Sequence, residues 1–286
     1  MRKNLKHTEM RKELQKKVDR AIRLLQSIPT DKGDIEISYS GGKDSDVILE
    51  LAKMAGIPYR AIYKNTTIDP AGTIAHAMKN GVEVIRPKKT FFQLVRENGF
   101  PSRWVRFCCG VLKEYKVCDI AIQGIRRSES KKREERYKEP QICRFYGSKK
   151  NHVSVYLPIL EWTDEDVSDF IKERNIKCHP IYYRGGQFDV TQRLGCMGCP
   201  LASRNKRIQF FKENPKWLKA WIKNGNIHYR NYKGENKKYK DAFEAIGCQL
   251  YCDNMEQFKT MTYGLFGEFD WKEFLQNEFK IDMSDI

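Results

Sequence analysis

No apolar run in this chain approaches the ~20 residues that a membrane-spanning helix requires, which excludes a helical transmembrane protein. The basic start (Arg2, Lys3, Lys6) is followed by neither an apolar segment nor a small-residue cleavage site, so no secretory signal is expected and the expected location is cytoplasmic. In that compartment the nine cysteines read as metal ligands, catalytic thiols or core residues rather than as disulfides. At 286 residues the chain can bury a core without cross-links. Internal repeats are missing too, and acidic residues are in deficit. Against 53 Lys and Arg stand 37 Asp and Glu, a formal charge of +16 that favours a polyanionic partner or an anionic substrate.

Met10, Leu14, Val18, Ala21, Ile22 and Leu25 recur at three- and four-residue steps and predict a leading helix over 7–27. Strand-like runs at 34–40, 59–63, 82–85 and 120–123 alternate with helical patterns at 46–55 and 90–97 and after Asp69-Pro70. Asp69 reads as an N-cap and Pro70 as the first residue of a helix running to Asn80 and ended by Gly81. The expected fold class is α/β, a mainly parallel doubly wound sheet with a basic helical C-terminal appendage. Residues 126–150 are charged, weakly periodic and contain Pro140 and Gly147, which predicts a mobile loop. Strand-like composition returns at 153–160, and Thr163 with Asp166 opens a helix to Asn175. Gly185, Gly186, Gly195 and Gly198 then mark an irregular segment. Three regions follow: a helix over 1–30, a nucleotide domain over 31–203 and a basic helical region over 204–286.

Ser40-Gly41-Gly42-Lys43-Asp44-Ser45 lies between an expected strand and an expected helix, where backbone N–H groups and the helix dipole attract phosphate. Lys43 would neutralise phosphate charge, Ser40 and Ser45 could donate hydrogen bonds, and Asp44 could hold Mg²⁺ directly or through water. A Walker A loop would need glycine where Ile37 stands and Ser or Thr where Asp44 stands, so this is a different phosphate loop, the alternative being an ordinary glycine turn. The hexapeptide resembles the PP-loop of the adenine nucleotide alpha-hydrolase superfamily, which includes N-type ATP pyrophosphatases and the phosphoadenosine phosphosulfate (PAPS) reductase family. Gly124-Ile125-Arg126-Arg127-Ser128-Glu129-Ser130-Lys131-Lys132-Arg133 looks like that family's glycine-arginine segment. The resemblance, over about 34–203, implies phosphate or sulfate contacts from Gly124, Arg126 and Arg133 and nucleotide contacts from Asn65 and Thr66.

Cys108 and Cys109 are adjacent, and Cys196-Met197-Gly198-Cys199 places two more thiols on a glycine-rich turn. Adjacent cysteines strain a compact tetrahedral zinc site but can reach different irons of a larger cluster, so a 4Fe-4S cluster fits better. The competing reading makes the first pair buried helix residues and gives the second zinc or nothing. The pattern resembles the iron-sulfur cysteines of assimilatory adenylylsulfate reductases. That resemblance places Lys113 near cluster and substrate, with Arg193 preceding the second pair. Cys118 reads as core, Cys143 as a candidate reactive thiol, and Cys178 lacks partner spacing.

Sulfonucleotide reductases attack sulfur with a cysteine in a C-terminal Glu-Cys-Gly-Leu-His segment. This chain lacks that segment and carries Cys248 and Cys252 instead. Its tail is rich in lysine (Lys212, Lys216, Lys219, Lys223, Lys233, Lys237) with Trp217, Trp221, Tyr229, Tyr232 and Tyr239 between. Such a composition suits phosphate contacts and base stacking on DNA or tRNA, or equally a tail whose aromatics pack inward. The chain also looks similar to cluster-containing members of the superfamily, the DNA phosphorothioation sulfur-transfer ATPase and tRNA thiolases. The expected function is ATP binding with Mg²⁺, adenylation of an acceptor with release of pyrophosphate, and sulfur transfer supported by the cluster and by a sulfur donor or electron-transfer partner. Lys43, Asp44 and Lys113 are the expected catalytic residues. The alternatives are a sulfonucleotide reductase releasing sulfite, and a nucleic-acid-binding or redox-sensing regulator.

Overall fold

The computed structural model describes residues 2–146, 148–234, 238–264 and 268–286. Gly147, Lys237 and the side chains of Arg2, Lys3, Lys6 and Met10 lie outside what is described. In chain order the elements are α1 (Arg2–Gln26), β1 (Ile35–Tyr39), α2 (Lys43–Ala55), β2 (Arg60–Lys64), α3 (Thr73–Lys79), β3 (Glu83–Ile85), α4 (Phe91–Asn98), α5 (Phe107–Leu112), β4 (Ile120–Ile122), α6 (Lys131–Arg136), β5 (Gln141–Tyr146), β6 (Ser148–Tyr156) and α7 (Asp164–Glu173). A two-stranded ribbon follows, β7 (Tyr183–Arg184) and β8 (Gln187–Phe188), then α8 (Arg204–Glu213), α9 (Pro215–Asn231), α10 (Ala242–Tyr251), α11 (Met255–Tyr263) and α12 (Trp271–Phe279).

Two compact units share the chain. The first comprises Met1–Asn65, Pro70–Arg86 and Glu114–Leu194; the second comprises Thr66–Asp69, Pro87–Lys113 and Gly195–Ile286.

The first unit holds a six-stranded sheet in the order β3-β2-β1-β4-β6-β5. All neighbours are parallel except β5 against β6. From β1 the chain winds through α2 to β2 on one side, while β4 lies on the other, so the strand order reverses between β1 and β4. In an open α/β sheet that switch point is where strand ends leave a crevice for ligand. The apolar residues of β1 and α2 explain the placement: Ile35, Ile37, Val47, Ile48 and Leu51 are all buried, and Leu14, Val18, Ala21 and Leu25 of α1 share their core cluster. The alternation read from the sequence is therefore the fold.

Three expectations are corrected. The supposed mobile loop 126–150 contains α6 and the edge strand β5. Its alternation was disguised because the half-buried row runs Ile142, Arg144, Tyr146; Arg144 is accommodated by bonds from Nη1 to Gln123 Oε1 (3.2 Å) and from Nη2 to the Tyr137 hydroxyl (2.9 Å). The strand expected over 153–160 ends at Tyr156, because Leu157–Leu160 closes a turn through Leu160 N to Leu157 O (3.2 Å). Finally, α3 starts at Thr73 behind Gly72, whose φ of 86° is left-handed, and not at Pro70. Asp69 caps no helix.

The second unit is helical. Phe211, Leu218, Trp221, Ile222, Phe243, Phe258 and Trp271 form its core. The tail aromatics largely pack inward: Trp221 is 1% exposed, Trp217 stacks on Phe92 at 6.2 Å between centroids, and Tyr229 accepts from Phe100 N (2.9 Å). Tyr232 alone of the five is exposed.

Candidate functional site

In the first unit, β1 delivers Ser40 to the loop and α2 begins at Lys43, three residues before the helical pattern suggested. Lys43 and Asp44 thus occupy the first turn, where the free N–H groups and the positive end of the dipole lie. Gly42 offers no side-chain cap, and Gly41 needs to be glycine: its φ is 77° and a Cβ would stand 2.7 Å from Thr73 Cγ2. Ser45 Oγ donates to Gly42 O (2.6 Å), and Gly42 N donates to Ser40 Oγ (3.3 Å), so both serines brace the loop. Lys43 is 4% exposed, with Nζ 3.4 Å from Asp44 Oδ2 and 5.5 Å from the centre of the Tyr182 ring.

The glycine-arginine segment follows β4 at the other side of the switch point. A Cβ on Gly124 would meet Asp44 O at 2.9 Å, so only glycine lets this strand end approach α2. Arg126 is buried, and its guanidinium is engaged on every nitrogen. Nε donates to Asp44 Oδ1 (2.7 Å), Nη2 to Asp164 Oδ1 (2.7 Å), and Nη1 to Ser128 Oγ (3.0 Å) and Trp162 O (3.4 Å). It holds Asp44 in place. Arg133 pairs with Glu129, while Arg193 Nη2 donates to Glu129 O (3.1 Å). Burial, then the like charges of Arg193 and Arg126, lowers the basicity of Arg133 against the opposing pull of Tyr137 and Asp44. Asn65 sits at the end of β2 with its N–H on Ile85 O (3.0 Å).

Tyr182 escaped sequence reasoning. Its hydroxyl accepts from the backbone of Lys43 and from Leu194 N (3.3 Å), and burial pushes its pKa up to about 12. Beneath the loop, Tyr39 donates to Asp46 Oδ1 (2.5 Å) and His76 Nε2 lies 3.0 Å from the same oxygen. Burial raises the Asp46 carboxyl despite these bonds.

The second unit gathers the cysteines. Cys108 and Cys109 on α5, Cys196 and Cys199 on the following turn, Lys113 and Thr66 all line one cavity, walled by Ile68, Phe91 and Trp221. Met197 N donates to Ile68 O (2.8 Å) and Cys199 N to Cys196 O (3.2 Å), which fixes the turn. Cys196 Sγ lies 3.7 Å from both Thr66 Oγ1 and Asp69 Oδ1, and Lys113 Nζ lies 3.6 Å from Asp69 Oδ1. Burial alone would make Lys113 less basic, yet Cys196, Asp69 and Cys109 outweigh it and raise its pKa. The hydrogen bond with Cys109, then burial, raises the Cys108 thiol; burial raises Cys196 against the pull of Lys113. Asp69, expected as a cap, is instead the anionic partner of this cage.

Four soft sulfur donors with an ammonium beside them make a donor set suited to an iron-sulfur cluster. Among the described residues no group of three or more His, Cys, Asp or Glu side chains stands ready to hold a metal ion. Thr66 falls in this cage, whereas Asn65 belongs to the first unit. Cys118 is buried as expected, and Cys143 is exposed.

Residues 34–202 match the family model of the phosphoadenosine phosphosulfate reductase domain. An uncharacterized protein of Methanocaldococcus jannaschii is 28% identical over 202 residues, 66% of this chain and 46% of that protein. An uncharacterized 37.8 kDa protein of Escherichia phage 186 is 30% identical over 164 residues, 50% and 44% of the two chains. The chain thus spans less than half the length of these curated relatives. Among solved structures, the PAPS reductase of Candida auris matches at 16% identity and TM-score 0.39, covering 55% of this chain and 81% of that one. The U34-tRNA thiolase NcsA of Methanococcus maripaludis, solved with its 4Fe-4S cluster, matches at 15% and 0.41, covering 85% and 90%. With more than half of its length matched by that family model, and with the loop and the glycine-arginine segment meeting at the switch point of its sheet, the chain belongs to the phosphoadenosine phosphosulfate reductase family.

Proposed function

We propose that this chain is a nucleotide enzyme of the ATP-pyrophosphatase type that adenylates an acceptor and supports sulfur transfer to it, the acceptor being a nucleic acid. The observation that carries the reading is the loop at the switch point. There a buried Lys43 heads α2, at the positive end of the helix dipole, while Arg126 fixes Asp44. An acceptor oxygen attacks the α-phosphorus of ATP, the bond from that phosphorus to the α,β-bridging oxygen breaks, and pyrophosphate carries away the electron pair. Lys43 Nζ, the N-terminal dipole of α2 and the neighbouring Arg133 and Arg193 stabilise the charge that grows on the leaving group. When bound, Mg²⁺ would share that charge, with Asp44 as its ligand. A hydrosulfide then attacks the adenylated carbon of the acceptor, the bond from that carbon to the adenylate oxygen breaks, and AMP leaves with the electron pair.

Cys108, Cys109, Cys196 and Cys199 would hold a 4Fe-4S cluster, which supplies an electron or sulfur relay when bound. Lys113 balances thiolate charge and Asp69 positions Lys113. The test is release of AMP and pyrophosphate from Mg-ATP by anaerobically purified protein with mixed tRNA and DNA present. Release that Lys43→Ala abolishes supports the reading; full activity in that variant overturns it.

The family match over 34–202 favours a second reading, reduction of a sulfonucleotide. Sulfite release from adenylylsulfate or its 3′-phosphate, without AMP release from ATP, selects it.

A further inference from the structure

The second unit has another cavity, apart from the cysteine cage, with a volume of ≈ 570 Å³, within the range that holds a nucleotide-sized ligand. Among the described residues, four cationic side chains line it, Arg103, Arg204, Arg207 and Lys238, against the carboxylate of Asp253. Backbone oxygens hold Arg103 and Arg207, with Gln249 Oε1 also accepting from Arg207 Nη2 (3.1 Å), whereas Arg204 is paired with Asp253. Arg103 Nε donates to Pro200 O (3.2 Å) and Nη2 to Ala202 O (3.2 Å). Arg207 Nε donates to Gly198 O (3.2 Å), and Arg204 Nη2 donates to Cys252 O (2.7 Å) while its Nη1 takes Asp253 (2.8 Å). Arg207 is 4% exposed and feels the like charges of Arg103 and Arg204. Crowded cations of this kind are relieved by an anion. The thiol of Cys252, also on the wall, is pushed up to about 11 by burial, so it stays neutral and contributes no opposing charge.

The same cavity carries an aromatic platform. Trp104 is 94% exposed, an unusual state for the largest apolar side chain. A turn built on Ser102 holds it outward: Ser102 Oγ accepts from Trp104 N (3.2 Å) and Val105 N (3.0 Å), and Ser102 N donates to Val105 O (3.0 Å). Preorganised cations beside a presented indole match the two demands of an unpaired nucleotide, phosphate neutralisation and base stacking. An inorganic anion would leave the indole without a role, and a duplex would offer it no open base face.

We infer that this cavity binds single-stranded nucleic acid, with a base on Trp104 and the adjoining phosphates on Arg103, Arg204 and Lys238. This deepens the nucleic-acid part of the function above and rests on it.

The test is fluorescence anisotropy of a short labelled single-stranded oligonucleotide, as RNA and as DNA in separate arms, with the full-length protein and no ATP. Because the indole is exposed, Trp104→Ala leaves the fold intact; it is expected to weaken binding about tenfold. Lys238→Ala should reduce the slope of log affinity against log salt by about 0.7. Equal affinity of the Trp104→Ala variant and the parent overturns the inference, as does full displacement of the strand by inorganic phosphate or ATP at the concentrations that saturate the loop. Parent protein that releases AMP but binds oligonucleotide without regard to Trp104 defeats this inference alone. Trp104-dependent binding without AMP release defeats the pyrophosphatase reading alone.

Discussion

Arg126 Nε lies 2.7 Å from Asp44 Oδ1, which makes a buried arginine from the end of β4 the clamp on the first turn of α2. With Nη2 on Asp164 and Nη1 on Trp162 O, the guanidinium ties the phosphate loop to the start of α7. Sequence reasoning placed this residue on a ligand phosphate. Its donors are engaged by protein oxygens, whereas Arg133 and Arg193 are the less committed cations nearby.

Arg126→Met should therefore destabilise the protein by about 3 kcal/mol, because it removes a buried guanidinium and leaves the half-buried Asp44 with the longer contact to Lys43. Asp164→Asn, at the more exposed end of the same network, should cost less than about 1 kcal/mol. Urea denaturation of both variants checks the ordering; equal losses would show that the Asp44 end carries no special weight.

Gly124→Ala forces a methyl group to within 2.9 Å of a backbone oxygen, which no rotamer can avoid. A loss of about 1–3 kcal/mol in stability is expected. Weaker ATP binding should accompany it, since the displaced atom belongs to the residue after Lys43. Isothermal titration with ATP reads the second effect, and unaltered affinity would mean that the strand end does not support the loop.

Anaerobic protein should contain iron and acid-labile sulfide in equal amounts, with broad visible absorption. Cys108→Ser and Cys199→Ser should lose both. Cys118→Ser, which alters a buried thiol of the other unit, should keep them. Stoichiometric zinc in place of iron would contradict this expectation.

Alkaline pH should unfold the first unit. Burial, then the Asp46 charge, raises the Cys178 thiol above its ordinary value of 9.0, and the same two causes raise Tyr39 above 10.0. In the native state both remain protonated where the unfolded chain has ionised. Their contribution is fully present below pH 9 and falls as pH rises beyond it, at a limiting slope of about 1.4 kcal/mol per pH unit for each proton. Melting temperatures between pH 8 and pH 10.5 should fall, less steeply for Cys178→Ala than for the parent. Identical slopes would remove Cys178 from the account.

The parts of this molecule that were legible in the sequence are those in which one local signal has one physical meaning. Strand, glycine pair and helix up to Ala55 could be read because Ile35, Ile37 and Tyr39 recur at every second position of β1 and because Gly41 needs its left-handed φ. The two cysteine pairs were legible through chemistry, and the structure places all four on one cavity. What was hidden depended on partners distant in the chain. Arg144 masks the alternation of β5 because its charge is met by Gln123 and Tyr137. Asp69 before a proline resembles a helix cap, and only the arrival of Lys113 and Cys196 gives it another use. Trp104 carried no signal among five tryptophans, since exposure is not written in residue type.

The chain passes between its two units five times, at 65/66, 69/70, 86/87, 113/114 and 194/195. During synthesis, Cys108 and Cys109 leave the ribosome long before Cys196 and Cys199, and the intervening segment must first complete the sheet. Bringing the four thiols of the proposed cluster together therefore closes a long loop, at an entropic cost that grows only slowly with its length. Loading of the proposed cluster thus requires synthesis beyond Cys199, since a product ending before residue 196 carries only half of these thiols.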